Sequence, residues 1–249
     1  MGEDRPRGEP EARGGVTARG ARVRHLLYGR RKGPRPSALQ QHLWQTLLPG
    51  LRLKLEPGAD PKLAFALPVE EVWLEAGFGG GEHLIWQAGA HPGVGIVGAE
   101  PYAAGIAKLL SRLAAADPAT SGTLAPRIRV HEGDVRDVIE RLPESSIGRI
   151  FILFPDPWPK RRHHKRRLVS TEFLAALARV MKSGAELRFA SDDADYVAWA
   201  LERLTASPDF VWRARCAADW EQRPADWPQT RYEAKALHGP PVYLSFRRR

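Results

Sequence analysis

Four carboxylates stand at positions where an alternating strand–helix chain does chemistry. Glu75 precedes the loop Gly77-Phe78-Gly79-Gly80-Gly81, and Glu100 follows the apolar run Val94 to Gly98. Asp134 follows Arg127 to His131, and Asp156 lies between Pro155 and Pro157 after the apolar run that ends at Phe154. Glycine at alternate positions (Gly77, Gly79, Gly81) lets backbone approach a ligand closely. The dinucleotide pattern G-x-G-x-x-G would need its third glycine at 82, where Glu82 would face a pyrophosphate. With Glu75 two residues ahead, the loop is expected to meet a cationic or hydroxyl-rich group. S-adenosyl-L-methionine has a sulfonium, an ammonium and a ribose diol. Glu100, 23 residues past Gly77, fits the acceptor of the ribose 2′-OH and 3′-OH. Asp134 then fits the acceptor of the adenine amino group. Each feature also has a structural reading: a tight turn for the glycines, a helix N-terminal acid for Glu100, an N-cap for Asp134.

The segment after Phe154 joins two chemistries. Prolines on both sides fix φ around Asp156 and hold it at the mouth of the sheet, above the methyl that a bound cofactor would present. Trp158 either stacks on a base or packs. Lys160, Arg161, Arg162, Lys165, Arg166 and Arg167 then follow with no acid among them, suited to the phosphates of a nucleic acid or else to a solvated face.

Positioning these residues takes alternating elements. Ser37 caps a helix carrying Leu39, Leu43, Leu47 and Leu48, which Pro49-Gly50 stops. Strands are predicted over 70–74, 94–98, 127–131, 147–154 and 186–190, with helices over 82–88, 101–115, 171–181 and 192–205. Segments 210–216 and 242–246 alternate in strand fashion. The nearly continuous apolar run of 150–154 (IFILF) is that of a strand buried on both faces. The expected fold class is α/β, Rossmann-like: a mostly parallel open sheet with helices on both faces, its ligands beyond the carboxyl ends of the strands.

The 249 residues suffice for one such domain with a tail. Residues 1–36 hold ten Lys/Arg against four acids, so +6 of the net +9 sits there, with little apolar content before Leu26. This segment is expected to be a mobile basic arm, either a solubilising leader or a grip on a polyanion, and 37–249 the folded domain. One cysteine, Cys216, excludes an intramolecular disulfide and a Cys-rich zinc site, and no metal is expected. No apolar run approaches the roughly 18 residues of a bilayer span, and no signal-type segment opens the chain, so a cytoplasmic protein with no membrane partner is expected.

Read together, EAGFGGG (75–81), GAE (98–100), FPDPWPKRRHHKRR (154–167), ASDDADY (190–196) and TRYE (230–233) resemble the bacterial tRNA (guanine-N7-)-methyltransferases, the TrmB type, over nearly the whole chain after the leader. The resemblance implies a class I S-adenosylmethionine-dependent methyltransferase acting on a variable-loop guanosine of tRNA. It implies cofactor contacts at Glu75, Gly77, Gly79, Gly81, Glu100 and Asp134, and an active-site role for Asp156. Guanosine contacts are implied at Lys160, Asp192, Thr230, Arg231, Tyr232 and Glu233. Ala76 replaces a usually larger aliphatic residue, and Gly98-Ala99-Glu100 replaces the more usual Gly-Ile-Glu. Arg161, Arg162, Lys165, Arg166 and Arg167 are expected on the tRNA backbone. No obligate protein partner is indicated, and a monomer and a homodimer are both compatible. The acid between two prolines sets 155–158 apart from the D/N-P-P-Y/F loop of amino-methylating enzymes, which has a Pro-Pro step. A non-catalytic RNA-binding module would keep the basic run without needing the glycine loop and its acids.

Overall fold

The computed structural model describes Gly33 and residues 35–249. The expected basic arm therefore lies almost wholly outside the described residues. Helix α1 (Ala38–Thr46) starts at Ser37, whose hydroxyl accepts from Gln40 N–H while the Gln40 side chain accepts from Ser37 N–H, a reciprocal capping box. The short α2 (Leu48–Leu51) follows. Leu43 and Leu48 are buried, whereas Leu39 is 61% exposed.

Strands and helices then alternate: β1 (Glu71–Ala76), α3 (Glu82–Ala90), β2 (Val94–Ala99), α4 (Ala103–Ala115), α5 (Pro118–Leu124), β3 (Ile128–His131), α6 (Val135–Ile139) and β4 (Ile147–Leu153). After a 3-10 turn at Arg161–Arg166 come α7 (Thr171–Val180), β5 (Met181–Ser191), α8 (Ala194–Ala206), β6 (Phe210–Trp212), α9 (Ala218–Glu221), α10 (Arg231–Lys235) and β7 (Val242–Arg248). The seven strands form one sheet in the order β3-β2-β1-β4-β5-β7-β6, parallel except where β7 pairs antiparallel with β5 and β6. This is the mostly parallel open sheet that the sequence pattern requires. Among the described residues, no helix is long and apolar enough to cross a membrane.

Period-2 alternation sends the two faces of each strand into different cores. Val72, Leu74 and Ala76 of β1 join Ile150, Ile152 and Leu187 under α6, α7 and α8, whereas Trp73 joins Ile96 and Phe151 under α3 and α4. Phe151 is fully buried, worth about 2–3 kcal/mol of removed apolar surface. Several short helices escape the sequence reading. α5, α6 and α10 are announced by their caps (Asp117, Asp134, Thr230) and not by an apolar period, whereas α9 has no side-chain cap. Strand β5 begins five residues earlier than expected, because Met181 pairs with Ile147 ahead of a register irregularity.

Candidate active site

β1 lies between β2 and β4, and the chain leaves it in opposite directions along the sheet. A crevice opens at such a reversal, beyond the carboxyl ends of the strands. Sheet order sets five acids along that edge. Asp134 follows β3, Glu100 follows β2, Glu75 is on β1, Asp156 follows β4 and Asp192 follows β5.

Gly77, Gly79 and Gly81 have φ of 77°, 55° and 78°, all left-handed, where any side chain would be strained. A Cβ on Gly77 would meet nothing within 4 Å, so the loop borders open space there. The carbonyl of Gly79 would lie 2.4 Å from a Cβ on Gly105, so α4 packs against the back of the loop. Arg112, also on α4, donates to the Gly80 carbonyl at 2.5 Å and pairs with Glu82. Glu82 is thus neutralised by a neighbour. Its charge opposes a phosphate ligand less than the sequence suggests, and the buried Glu75 and Glu100 carry that opposition.

Glu75 is buried, and its Oε2 lies 2.9 Å from His83 Nδ1 on α3. Glu100 is 6% exposed; Oε2 accepts from Gly79 N–H at 2.6 Å and Oε1 from Tyr102 N–H at 2.8 Å. Burial pushes its pKa up to about 7, with Asp156 and Glu75 adding to the rise against those two hydrogen bonds. Three acids therefore share one electrostatic basin. Asp134 caps α6: Oδ1 accepts from Arg136 N–H and Nε, both at 2.9 Å, and Oδ2 from Arg136 Nη2 at 2.6 Å. The cap reading of Asp134 is realised in the fold.

The loop after β4 is held from outside. Phe154 and Trp158 have φ of 50° and 49°, a region costing about 1–3 kcal/mol for a side-chain-bearing residue. Phe154 N–H donates to Ala190 at 2.7 Å, and Trp158 packs between His163, edge-on at 5.9 Å, and the Arg166 guanidinium at 5.0 Å. Trp158 thus packs. Between these pins Asp156 is accessible and makes no hydrogen bond or ion pair with any described residue, yet the protein around it raises its carboxyl pKa by desolvation.

The basic run divides. Lys160, Arg161, Arg162 and Lys165 are exposed, and Arg166 is half-buried on Trp158. Arg167 departs from the expectation of a phosphate contact, because its side chain is fully buried. Its Nε donates to the Pro157 carbonyl at 2.8 Å, its Nη2 pairs with Asp195, and its guanidinium lies 5.0 Å and 5.1 Å from the Tyr196 and Trp199 rings. It ties the Asp156 loop to α8.

The TRYE motif forms α10. Thr230 and Glu233 build a buried capping box, and Glu233 Oε1 also accepts from Tyr243 Oη at 2.8 Å and Arg223 at 3.2 Å. Those two residues are spent on carrying Arg231 and Tyr232, which are exposed. The Tyr232 ring reaches the glycine loop, 2.9 Å from where a Gly79 Cβ would stand. Asp192 accepts from His238 N–H at 3.1 Å, fastening the segment between α10 and β7. Two residues escape the sequence reading, His83 and Arg112. A His83–Gln87 pair at i, i+4 on the buried side of α3 is the signal that was there to find.

The chain matches the family described as putative methyltransferase over residues 69–242. It is 49% identical over 230 residues to the tRNA (guanine-N(7)-)-methyltransferase of Rhodospirillum rubrum, covering 90% of this chain and 88% of that one. It is 53% identical over 180 residues to the same-named protein of Ruegeria pomeroyi, 72% and 73% of the two chains. Among solved structures, the 16S rRNA methyltransferase KamB aligns with a TM-score of 0.47 at 19% identity, over 73% of this chain and 89% of that one. On 49% identity over nine-tenths of its length, the chain belongs to the tRNA (guanine-N7-)-methyltransferase family.

Proposed function

We propose that the chain transfers a methyl group from S-adenosyl-L-methionine to N7 of a variable-loop guanine in tRNA, forming 7-methylguanosine, in the cytoplasm. The observation that carries this reading is the basin of acids around a left-handed glycine loop with open space over Gly77. Buried acceptors suit a ligand that is cationic and hydroxyl-rich, and would repel a pyrophosphate.

S-adenosyl-L-methionine supplies an electrophilic methyl carbon on a sulfonium. Glu75 and the glycine loop hold the methionine arm, Glu100 accepts from the ribose diol, and Asp134 accepts from the adenine amino group. Guanine N7 attacks with its in-plane lone pair, the carbon–sulfur bond breaks with its electron pair left on sulfur, and positive charge passes to the purine. No proton has to be removed, so alignment is the enzyme's main task, and alignment alone can supply several kcal/mol of barrier reduction. Asp156 holds the base by accepting from guanine N1–H or N2–H and stabilises the charge arriving on the ring. Arg231 and Tyr232, presented by the Thr230/Glu233 box, complete the guanosine site with Lys160 and Asp192. Arg161, Arg162, Lys165 and Arg166 neutralise backbone phosphates.

Incubation with methyl-labelled cofactor and unmodified tRNA, followed by nucleoside analysis, tests the reading, with label in 7-methylguanosine the expected result. Calorimetry showing no cofactor binding would favour a non-catalytic RNA-binding module.

A further inference from the structure

Away from the strand ends, the β5–β7–β6 edge of the sheet has a groove that the proposed chemistry does not use. Cross-strand register pairs Glu186 with Arg247 and Arg188 with Ser245, and Val211 of β6 also pairs with Arg247. Period 2 then sets Arg188, Arg247 and Arg213 on one face, with Arg213 N–H donating to the Ser245 carbonyl at 3.0 Å. The segment from Ala214 through α9 to Ala225 arches beside that face, enclosing a groove of about 690 Å³.

Every cation lining the groove is arginine: Arg188, Arg213, Arg215, Arg223 and Arg247. Two acids face them, and both are committed. Glu186 pairs with Arg149 at 3.2 Å and Arg188 at 3.0 Å. Asp219 accepts from the backbone N–H of Arg215 at 2.7 Å and Cys216 at 3.2 Å. Arg223 pairs with Glu233. Arg213, Arg215 and Arg247 are exposed and make no ion pair with any described residue. Three guanidiniums without a direct ion pair, one of them (Arg215) in the field of Asp219, stand in one concavity and focus a positive field outward. Their planar forks suit bidentate capture of phosphate oxygens. A protein partner would need apolar anchors. The one large aromatic at the groove, Trp212, instead stacks on Phe246 at 6.3 Å.

We propose that this groove is a second seat for the tRNA backbone, gripping phosphates remote from the methylated guanine. The proposal rests on tRNA being the substrate. From Arg247 to Val242, which pairs with Ser191 beside Asp192, β7 covers about 17 Å. A folded tRNA bound at the strand ends can span that distance, so the groove adds affinity and orientation without touching the reacting atoms.

The test is the triple variant Arg213→Gln, Arg215→Gln, Arg247→Gln in the full chain, with tRNA affinity measured across a salt titration. The slope of log affinity against log salt should flatten by about 0.7–0.9 per lost phosphate contact, so by about 2.1–2.7 if all three are lost. KM for tRNA should rise, while cofactor binding, thermal melting and the rate at saturating tRNA match the parent. A control triple outside the groove, Lys54→Gln, Lys62→Gln, Lys182→Gln, should leave the slope nearly unchanged. An equal loss in the control, or a parent-like slope in the variant of a parent that methylates tRNA, overturns the groove proposal alone. Unchanged tRNA binding with lost retention on polyglutamate assigns the groove to an acidic protein instead. A parent that neither binds nor methylates tRNA overturns the substrate reading, and the groove proposal falls with it.

Discussion

His83 holds Glu75 from beneath: Nδ1 lies 2.9 Å from Glu75 Oε2, and Nε2 lies 3.0 Å from Gln87 Nε2. Gln87 Nε2 also donates to the Asp226 carbonyl at 3.0 Å, and a carbonyl only accepts, so the Gln87 atom facing both is the amide nitrogen. Its second hydrogen therefore goes to His83 Nε2, which fixes the imidazole proton on Nδ1, pointing at Glu75. The chain of bonds runs from the floor of the glycine loop to the segment ahead of α10. Asp226 is itself clamped by Arg188 at 2.7 Å and reached by Arg149 at 3.5 Å. The proposed cofactor acid and the proposed guanosine motif are thus mechanically joined.

Breaking that join should be costly. His83→Leu removes the one donor that Glu75 has among the described residues and leaves a buried carboxylate without it, a loss of about 3 kcal/mol. Thermal melting should fall and cofactor titration should weaken together. A variant that melts like the parent would show that Glu75 does not depend on His83.

Glu100 predicts a proton linkage. Its pKa is raised to about 7 from 4.5, so the folded chain holds its proton more tightly than the unfolded chain between those values. Its contribution to stability is therefore favourable at low pH and declines as pH rises through that window. Ribose hydroxyls need the unprotonated acceptor, so cofactor binding near pH 7 should release a fraction of a proton, and affinity should rise from pH 6 to 8. Calorimetry in two buffers of different ionisation enthalpy measures this directly. Glu100→Gln should bind more weakly, by about 1–3 kcal/mol, and release no proton. Buffer-independent heats in the parent would refute the ribose assignment.

The basic run should fail in two distinct ways. Arg161→Gln, Arg162→Gln and Lys165→Gln remove exposed charges and should flatten the salt dependence of tRNA binding by about 0.7–0.9 per lost contact at unchanged melting temperature. Arg167→Gln should spare that slope and lower stability by about 1–3 kcal/mol, because the buried fork on the Pro157 carbonyl is lost. Its partner Asp195 is 66% exposed, which keeps the ion pair itself from adding much. A flattened slope in Arg167→Gln alone would reverse this division.

The difference between Arg167 and its neighbours was not legible in the sequence, where six cations look alike. Burial of Arg167 depends on Tyr196 and Trp199, about thirty positions away on α8, and single-chain periodicity carries no signal for such a contact. The resemblance implies Thr230 and Glu233 as guanosine contacts, yet S/T-x-x-E is also a helix start, and the fold uses it so. What was legible follows local rules: the acids at strand ends, the glycine loop between strand and helix, and the strand–helix alternation. Those depend on neighbours within a few residues. His83 and Arg112 depend on which helix faces which loop, a property of the assembled sheet.

Asp156 separates chemistry from grip. It makes no hydrogen bond or ion pair with any described residue and stands between two left-handed residues that fix its loop, so Asp156→Ala changes little that the described fold relies on. Melting temperature and tRNA affinity should stay within experimental scatter of the parent, since phosphate contacts elsewhere supply the binding. The methylation rate at saturating tRNA should collapse, because N7 is no longer held in line with the methyl carbon and the reaction loses its pre-paid orientation. In the parent, the single-turnover rate at saturating cofactor should not climb tenfold per pH unit from 6 to 9, since no proton has to leave N7. Such a climb, abolished in Asp156→Ala, would make Asp156 a general base and not a holder of the guanine edge.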